Sequence, residues 1–306
     1  MKQNMVLKMK NKVILVLKWI RQYILRFIPD KMYIKIIYRI KVGKKLNLKD
    51  PQTFNEKLQW LKLYDRNPEY TMLADKYKVR EYVKEKIGEE YLIPLIGVYD
   101  KFDDIDFAKL PNQFVIKCNH DSGSVVICKN KNTFDIKSAR KKINRALRYN
   151  YYYVGREWQY KNIERKIIIE KYLNEIDDNV NDYKFFIFNN EFKYSFVCSE
   201  RQEKVKFTFF DKNKKFMDVR QGNADYDKNV KLPKNYKKMI ELSKILAKDI
   251  PELRVDFYEI NEKIYFGELT FYDASGFDKF EPYEWDKKIG SWLKLPERAN
   301  YEKNKS

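Results

Sequence analysis

The amino-acid sequence predicts an α+β protein in which helices come first and antiparallel β-hairpins follow. Apolar residues recur at helical spacing between residues 53 and 87, after a helix-capping signal. The second half instead holds runs of β-branched and aromatic residues separated by polar turns. The clearest hairpin pairs Leu253 to Ile260 with Ile264 to Tyr272 through a turn at residues 261–263. With 306 residues, the chain is long enough for about two domains and a sizeable core.

Composition narrows the class of protein. The net charge is +19, from 63 Lys and Arg against 44 Asp and Glu, which favours anionic partners. A general bias toward Lys, Asn, Ile and Tyr explains part of that surplus. Three cysteines without metal-ligand spacing indicate a reducing compartment, so we expect a cytoplasmic protein. The only histidine, His120, excludes a multi-histidine metal site, and no nucleophile elbow accompanies it.

Residues 1–42 are both basic and hydrophobic. Lys18, Arg21 and Arg26 interrupt the apolar run, so no window of about 20 apolar residues could span a membrane. No small-residue cleavage site of a signal peptide follows. Two interpretations stay open. The segment is either a basic amphipathic helix on the anionic inner face of a membrane, or a helix pair packed on the protein body.

The next segments predict two helices and a strand. Thr53 or Asn55 can cap a helix that ends near residue 65. A second helix is expected from Met72 to Ile87, where Gly88 stops it. A short strand region follows at residues 91–99.

Residues 114–128 read as a strand, a loop of small polar residues and a second strand. Lys117 closes the first strand, beside a loop whose backbone N–H groups can bind phosphate. The loop has one glycine and lacks the P-loop pattern. The alternative is an ordinary β-hairpin whose lysine reaches solvent.

The remaining elements follow in order. An aromatic segment at residues 149–160 either packs in the core or stacks on sugars or bases. Pro233 precedes an amphipathic helix that reaches Ile250, and a mostly irregular aromatic tail is expected after Gly276. The other predicted elements are a helix at 137–147, a strand at 166–173, a hairpin of 182–188 with 191–198, and short strands at 207–210 and 216–219.

The hairpin at residues 253–272 carries the strongest chemical signal. Residues two apart in a strand share a face, so Arg254 lies beside Asp256, and Glu268 lies beside Thr270. Antiparallel pairing then brings Asp256 near Glu268 or Thr270. Hard oxygen ligands of this kind suit Mg²⁺, and the guanidinium can neutralise a phosphoryl group or an acyl phosphate. The alternative is a solvated face with cross-strand ion pairs.

The order of these segments resembles the ATP-grasp ligase superfamily. Within it, the chain is most similar to the TupA-like ATP-grasp family, which is associated with bacterial surface polymers such as teichuronopeptide and capsule. The resemblance covers about residues 50–295. It is carried by Asp75-Lys76-Tyr77 with Arg80, Phe114 to Asn119, Asp182-Tyr183-Lys184-Phe185-Phe186, and Arg254-Val255-Asp256 with Phe266-Gly267-Glu268-Leu269-Thr270-Phe271.

The resemblance implies a role for each matching position. ATP and Mg²⁺ would be the cofactors. The implied nucleotide residues are Lys76 and Lys117 on the phosphates, with Lys184 on phosphate or substrate; His120, Ser122, Gly123 and Ser124 in the loop over the phosphates; and Glu170, Lys171 and Leu173 around adenine. Asp256, Glu268 and Thr270 would hold Mg²⁺, and Arg254 would steady the acyl phosphate. Thr270 stands where the superfamily usually has Asn, which puts a second metal site in doubt.

We therefore expect an ATP-grasp fold of two α+β subdomains with a helical N-terminal extension. The expected divisions are residues 1–48, 49–110, 111–175 and 176–306. The expected activity is ATP-dependent ligation of a carboxylate to an amine, on an acidic sugar or polysaccharide precursor. The rivals are a glycosyltransferase that uses a nucleotide sugar, and a non-catalytic module that binds a polyanion or membrane. No convincing D-x-D motif supports the transferase, because residues 103–106 read as a solvated acidic loop.

Overall fold

The computed structural model describes Ile20 and residues 22–173, 181–200 and 204–297. The helices are α1 (Asp30–Val42), α2 (Phe54–Tyr64), α3 (Glu69–Ala74), α4 (Val79–Lys86), α5 (Ile136–Arg148), α6 (Tyr152–Gly155), α7 (Tyr236–Leu246) and α8 (Glu284–Trp292). The strands are β1 (Leu95–Tyr99), β2 (Phe114–Cys118), β3 (Val126–Cys128), β4 (Ile167–Lys171), β5 (Asp182–Phe188), β6 (Glu191–Ser199), β7 (Lys206–Asp211), β8 (Phe216–Met217), β9 (Arg220–Gln221), β10 (Glu252–Ile260), β11 (Lys263–Thr270) and β12 (Phe280–Glu281). Within these ranges, no helix has the length and apolarity that crossing a membrane requires.

A four-stranded antiparallel sheet forms the smaller layer, in the order β1-β4-β2-β3. Its central strands β2 and β4 bury Ile and Phe side chains. Helix α5 covers one face of the sheet through Ala139 and Ile143. These residues form a hydrophobic core of their own, which includes Phe102, Phe114 and Ile169. Strand β1 belongs to this sheet, although the sequence-based division places it in the preceding helical region.

The larger sheet has six antiparallel strands in the order β11-β10-β5-β6-β7-β8. Its middle strands are aromatic, and Phe185, Phe186 and Phe188 are fully buried. Helix α7 packs on one face through Tyr236 and neighbouring residues, and α2 and α8 belong to the same core. Because β10 lies between β5 and β11, its polar side chains are enclosed by neighbours on both sides.

Helix α2 begins with a complete capping box. The Thr53 hydroxyl accepts a hydrogen bond from the Glu56 N–H, and the Glu56 carboxylate accepts one from the Thr53 N–H. Of the two predicted caps, Thr53 is therefore the one used. Asn55 instead donates, through both its backbone and its side chain, to Asp286 of α8.

Two predicted elements are wrong. The helix expected from Met72 to Ile87 is broken after Ala74, because the Asp75 carboxylate accepts from the N–H groups of Tyr77 and Lys78 and turns the chain. The tail after Gly276 is not irregular, since α8 docks against the start of α2. At Gly290 a Cβ atom would lie 2.4 Å from the Gln52 carbonyl oxygen, so only glycine allows this close contact.

Helix α1 is anchored by its inner face. Tyr33 and Tyr38 are buried, and the Tyr33 hydroxyl donates to the Val154 carbonyl at 3.1 Å. The buried Arg156 guanidinium lies over the Tyr33 ring and donates to the Leu25 carbonyl at 2.6 Å. In the described part, residues 22–42 are therefore packed on the protein body; residues 1–19 and Arg21 lie outside it.

Candidate functional site

The hairpin of β10 and β11 pairs its polar residues as predicted. Asp256 lies opposite Glu268, and Arg254 lies opposite Thr270. A two-residue turn joins the strands, because Ile260 pairs with Lys263, and both turn residues adopt positive φ values of 48° and 61°. The register therefore puts two carboxylates, a hydroxyl and a guanidinium together.

Arg254 is the centre of this cluster. Its guanidinium makes a bidentate contact with Asp256, with both donor–acceptor distances 2.7 Å. The same group donates to Glu268 at 3.1 Å and to Thr270 at 3.0 Å, and it also contacts Asp273. Burial disfavours the charged form, yet the surrounding carboxylates hold the pKa of Arg254 well above its usual value. Arg254 is therefore fixed and charged.

Lys184 supplies a second buried cation from the neighbouring strand β5. Its ammonium donates to Asp182 at 2.6 Å and also contacts Asp256. Burial and Arg254 lower the pKa of Lys184, but Asp182 and Asp256 outweigh them and raise it. Asp256 consequently accepts from two cations, one on each side.

Lys76 reaches the cluster from the turn between α3 and α4. Its ammonium lies 3.4 Å from the Glu268 carboxylate and donates to the Asp121 carbonyl at 2.8 Å. Lys76 therefore joins the larger sheet to the loop that follows β2. The helix break at Asp75 makes this reach possible, because it turns the chain toward Asn119, which donates to Asp75 at 2.8 Å.

Glu268 is the most accessible carboxylate of the group, with 34% of its side chain exposed. Burial opposes its charge, but Lys76, Arg254 and Lys184 together hold the pKa of Glu268 well below its usual range. A depressed folded-state pKa stabilises the native state above the unfolded pKa of about 4.3 and loses that contribution as pH falls.

We predict that, as pH falls below about 5, the free energy of unfolding decreases more steeply for the wild type than for Glu268→Gln. The difference should begin where glutamate titrates in the unfolded chain. Urea unfolding at a series of pH values measures the difference. Parallel pH profiles for the two proteins would contradict it. Glu262→Gln, at an exposed turn position of the same hairpin, is the matched control.

The donor set of the cluster fits a divalent metal ion in kind. Asp182, Asp256, Glu268 and Asp273 bring four carboxylates, against the three cations Lys76, Lys184 and Arg254. Carboxylate and hydroxyl oxygens are the ligands that Mg²⁺ takes, and Glu268 has the exposure needed to reach one. The three cations now provide the charge compensation at these oxygens. Over the described ranges, no group of three or more His, Cys, Asp or Glu forms a ready-made metal cage.

A smaller cluster lies on the four-stranded sheet. The Lys117 ammonium is 2.6 Å from the Glu170 carboxylate, and the two residues come from the paired strands β2 and β4. Arg80 of α4 approaches the other Glu170 oxygen at 3.4 Å and donates to the Ile93 carbonyl at 2.8 Å. Lys117 and Arg80 therefore present two cations around one carboxylate.

The loop after β2 is held from within. Ser124 is buried; its hydroxyl donates to Asp121 at 2.5 Å and accepts from the Cys118 N–H at 2.9 Å. Ser122 and Gly123 form the exposed tip, where Gly123 has a φ of 102° that favours glycine. The structure thus presents Ser122 and Gly123 outward, while Ser124 shapes the loop.

His120 is placed differently from its neighbours in the loop. Its side chain is buried, and Nε2 donates toward the carbonyl oxygens of Ala146 and Tyr149 at the end of α5, at 3.3 and 3.2 Å. Burial lowers the pKa of His120 and so favours the neutral imidazole. The structure therefore does not bring a charged His120 to the exposed tip of the loop.

A cavity of about 590 Å³ lies where adenine is expected. Arg80, Pro94, Lys171, Leu173 and Tyr265 contribute to its walls. The Lys171 N–H donates to the Pro94 carbonyl at 2.9 Å, so of its two main-chain groups only the carbonyl oxygen is left to bind a base. Small-molecule sites usually enclose roughly 300–1,000 Å³, which this cavity satisfies.

Several residues of the cluster were not predicted as site residues. Asp182 is one of them. It lies two residues before the predicted Lys184 on the same face of β5, so the alternation of that strand could have indicated it. Asp273 lies beyond the hairpin and reaches Arg254 only through the fold; its other oxygen accepts from Gln221 at 2.5 Å. Arg80 appeared in the motif, but its contact with Glu170 required the three-dimensional structure.

The two sheets, the loop after β2 and the charged hairpin define an ATP-grasp protein of the α+β class. The chain belongs to the TupA-like ATP-grasp family, whose sequence model matches residues 56–294. The suspected family and the expected fold class are both confirmed by this match.

Solved structures similar to this chain include several ligases. D-alanine–D-alanine ligase from Bacillus anthracis complexed with ATP is 16% identical, with 65% of this chain and 55% of that chain covered and a TM-score of 0.39. The Helicobacter pylori D-alanine–D-alanine ligase is 16% identical, with coverage of 79% and 69% and a TM-score of 0.42. L-amino acid ligase from Bacillus licheniformis is 13% identical, with coverage of 82% and 57% and a TM-score of 0.41.

This chain thus spans little more than half of the first of these ligases. No curated protein is detectably similar in sequence to this chain.

Proposed function

We propose that this protein is an ATP-dependent carboxylate–amine ligase that proceeds through an acyl phosphate. The observation that carries the proposal is Arg254, a permanently charged guanidinium that contacts Asp256, Glu268 and Thr270 on one sheet face. Lys76 converges on the same Glu268 from the loop side. Phosphoryl transfer needs such aligned charge more than it needs a protein nucleophile.

Each step has a residue to support it in this proposal. The substrate carboxylate attacks the γ-phosphorus of ATP, and ADP leaves as the acyl phosphate forms. Lys76 and Lys117 neutralise the phosphate oxygens, and Arg254 steadies the acyl phosphate. The amine nitrogen then attacks the acyl carbon; the carbon–oxygen bond to phosphate breaks, and the amine loses a proton to solvent.

The nucleotide would lie across both clusters. Its base would occupy the cavity beside Lys171 and Leu173, with Glu170 next to it, and its phosphates would pass under the tip formed by Ser122 and Gly123. Asp256, Glu268 and Thr270 would hold Mg²⁺, which supplies charge compensation for the phosphates when bound. Lys184 would then contact phosphate or substrate once Asp256 turns to the metal.

The substrates proposed are an acidic sugar or polysaccharide precursor and an amine or amino acid, in the synthesis of a bacterial surface polymer. The net charge of +19 supports an acidic substrate. We place the protein in the cytoplasm, with peripheral contact at the inner face of the membrane. A glycosyltransferase receives no support from Asp103, which is exposed and pairs with Arg140 at 2.6 Å.

A thermal-shift titration tests this function. We expect ATP with Mg²⁺, and a nonhydrolysable ATP analogue with Mg²⁺, to raise the melting temperature of the wild type. A ligand at 100 times its Kd adds about 2.7 kcal/mol to the free energy of unfolding. The shift should need Mg²⁺ and should weaken in Glu268→Ala, because that carboxylate would hold the metal.

The same experiment discriminates between the rivals. A shift with UDP and Mg²⁺ but none with ATP would contradict the ligase and favour a nucleotide-sugar transferase. Binding of polyanions that weakens with salt, in the absence of any nucleotide shift, would favour a non-catalytic module. Once ATP binding is seen, ADP release stimulated by an acid together with an amine identifies the substrates.

A further inference from the structure

We propose that the outer face of α1 is the surface by which this protein lies on an anionic lipid bilayer. Met32, Ile36 and Ile40 are spaced four residues apart, and their exposed fractions are 50%, 46% and 71%. Residues at this spacing lie one above another on a helix, so they form a single exposed apolar stripe. Phe27, 75% exposed, precedes the helix.

A basic row runs beside the apolar stripe. Lys31, Lys35 and Arg39 each precede a stripe residue by one position, so they form a parallel row on the same exposed side. Residues 22–45 contain seven Lys or Arg and a single acid, Asp30, which pairs with Arg66. Among the ion pairs of the described residues, none involves Lys31, Lys35 or Arg39.

The stripe is presented by a rigid support. The opposite face of α1 is buried through Tyr33, Ile34 and Tyr38, and Arg156 ties the preceding turn to the protein body. The helix has 13 residues and is about 20 Å long at 1.5 Å per residue, and the apolar stripe from Met32 to Ile40 extends for about 12 Å of it. The inner face of α1 therefore holds the helix on the protein, and the outer face is not needed for this packing.

Charge decides which occupant fits the outer face. A second copy of this chain would bring its own basic row against the first, because the net charge of +19 leaves like charges opposed. An anionic bilayer attracts the basic row with its headgroups and accepts the apolar stripe at its acyl boundary. This inference sharpens the location given in the proposed function and does not depend on the ligase chemistry.

Vesicle co-sedimentation without nucleotide tests the proposal on the full chain. We expect binding to vesicles of phosphatidylcholine with an equal part of phosphatidylglycerol, little binding to phosphatidylcholine alone, and weakening with salt. The triple variant Lys31→Gln, Lys35→Gln, Arg39→Gln should lower the partition coefficient about 100-fold, at about fivefold for each charge. The triple variant Met32→Ser, Ile36→Ser, Ile40→Ser should lower it at least about tenfold.

Matched controls keep the experiment interpretable. Ile245→Ser removes an isoleucine of α7 whose exposed fraction, 45%, is nearly that of Ile36. This variant should leave vesicle binding unchanged. Binding of both triple variants at the wild-type level would assign the membrane contact elsewhere in the chain and overturn the proposal. A dimer in sedimentation velocity that the Ser variant abolishes, without vesicle binding by the wild type, would overturn it in favour of self-association. A nucleotide shift that persists in all variants shows that the nucleotide site is independent of this surface.

Discussion

Arg254→Ala is expected to lower the free energy of unfolding by about 3–5 kcal/mol, the usual effect of removing one partner from a buried ion pair. The substitution leaves Asp273 and part of Asp256 buried without their guanidinium, and it also breaks the contacts to Glu268 and Thr270. Urea unfolding at neutral pH measures the loss. The deficit should shrink as pH falls, because the uncompensated carboxylates then take up protons.

Arg140→Ala is the matched control for this prediction. Arg140 also pairs with an aspartate, Asp103, but 51% and 65% of the two side chains are exposed. An exposed pair contributes about 0–1 kcal/mol. Equal losses for Arg254→Ala and Arg140→Ala would show that the buried cluster does not depend on its guanidinium. Arg254→Lys, which keeps a charge but loses the bidentate geometry, should fall between the wild type and the alanine variant.

Lys184→Met is expected to cost a similar amount, about 3–5 kcal/mol, because Asp182 and Asp256 lose a shared buried cation. Its distinguishing feature is the response to Mg²⁺. Asp256 is freed on one side, so if it is a metal ligand, Mg²⁺ should stabilise this variant more than it stabilises the wild type. Urea unfolding with and without Mg²⁺ measures both effects.

Lys193→Met provides the comparison, since Lys193 pairs with Glu191 two residues away on β6, where 22% of the Lys193 side chain and 72% of the Glu191 side chain are exposed. It should cost little, and Mg²⁺ should act on it as on the wild type. An equal gain from Mg²⁺ in Lys184→Met and in the wild type would argue against Asp256 as a ligand. The double variant Lys184→Met, Glu268→Gln should lose the extra gain, because the freed Asp256 would then lack Glu268 as the second metal-binding carboxylate.

Features set by local sequence were predictable. The capping box of Thr53 and Glu56 needs only residues three apart, and the alternation around Arg254 and Asp256 places their side chains on one face of a strand. The sequence predicted that Asp256 lies near Glu268 or Thr270. Its pairing with Glu268 also needs the register shift between Asp256 and Phe257, because the turn alone would place Gly267 opposite Asp256. Local periodicity therefore predicted the hairpin at the centre of the candidate site.

Features that depend on distant residues were not predictable from those patterns. The helix break follows from the Asp75 carboxylate, which also binds Asn119, 44 residues away in the sequence. Apolar spacing continues across the break, so periodicity alone extends the helix. The tail was expected to be irregular, but the missing side chain of Gly290 lets α8 contact the backbone at Gln52. Asp273 reaches Arg254 only because residues beyond the hairpin return to it.

The two hydrophobic cores have a consequence for how the molecule melts. The smaller sheet and the larger sheet each bury their own apolar side chains, and polar contacts such as that of Lys76 with the Asp121 carbonyl link elements of the two. Units with separate cores can open at different free energies, so calorimetry of the ligand-free protein should show a broadened or split transition. A nucleotide held by Lys117 on one sheet and Glu268 on the other would bind only when both are folded. Its binding should therefore merge the two transitions into one cooperative unit.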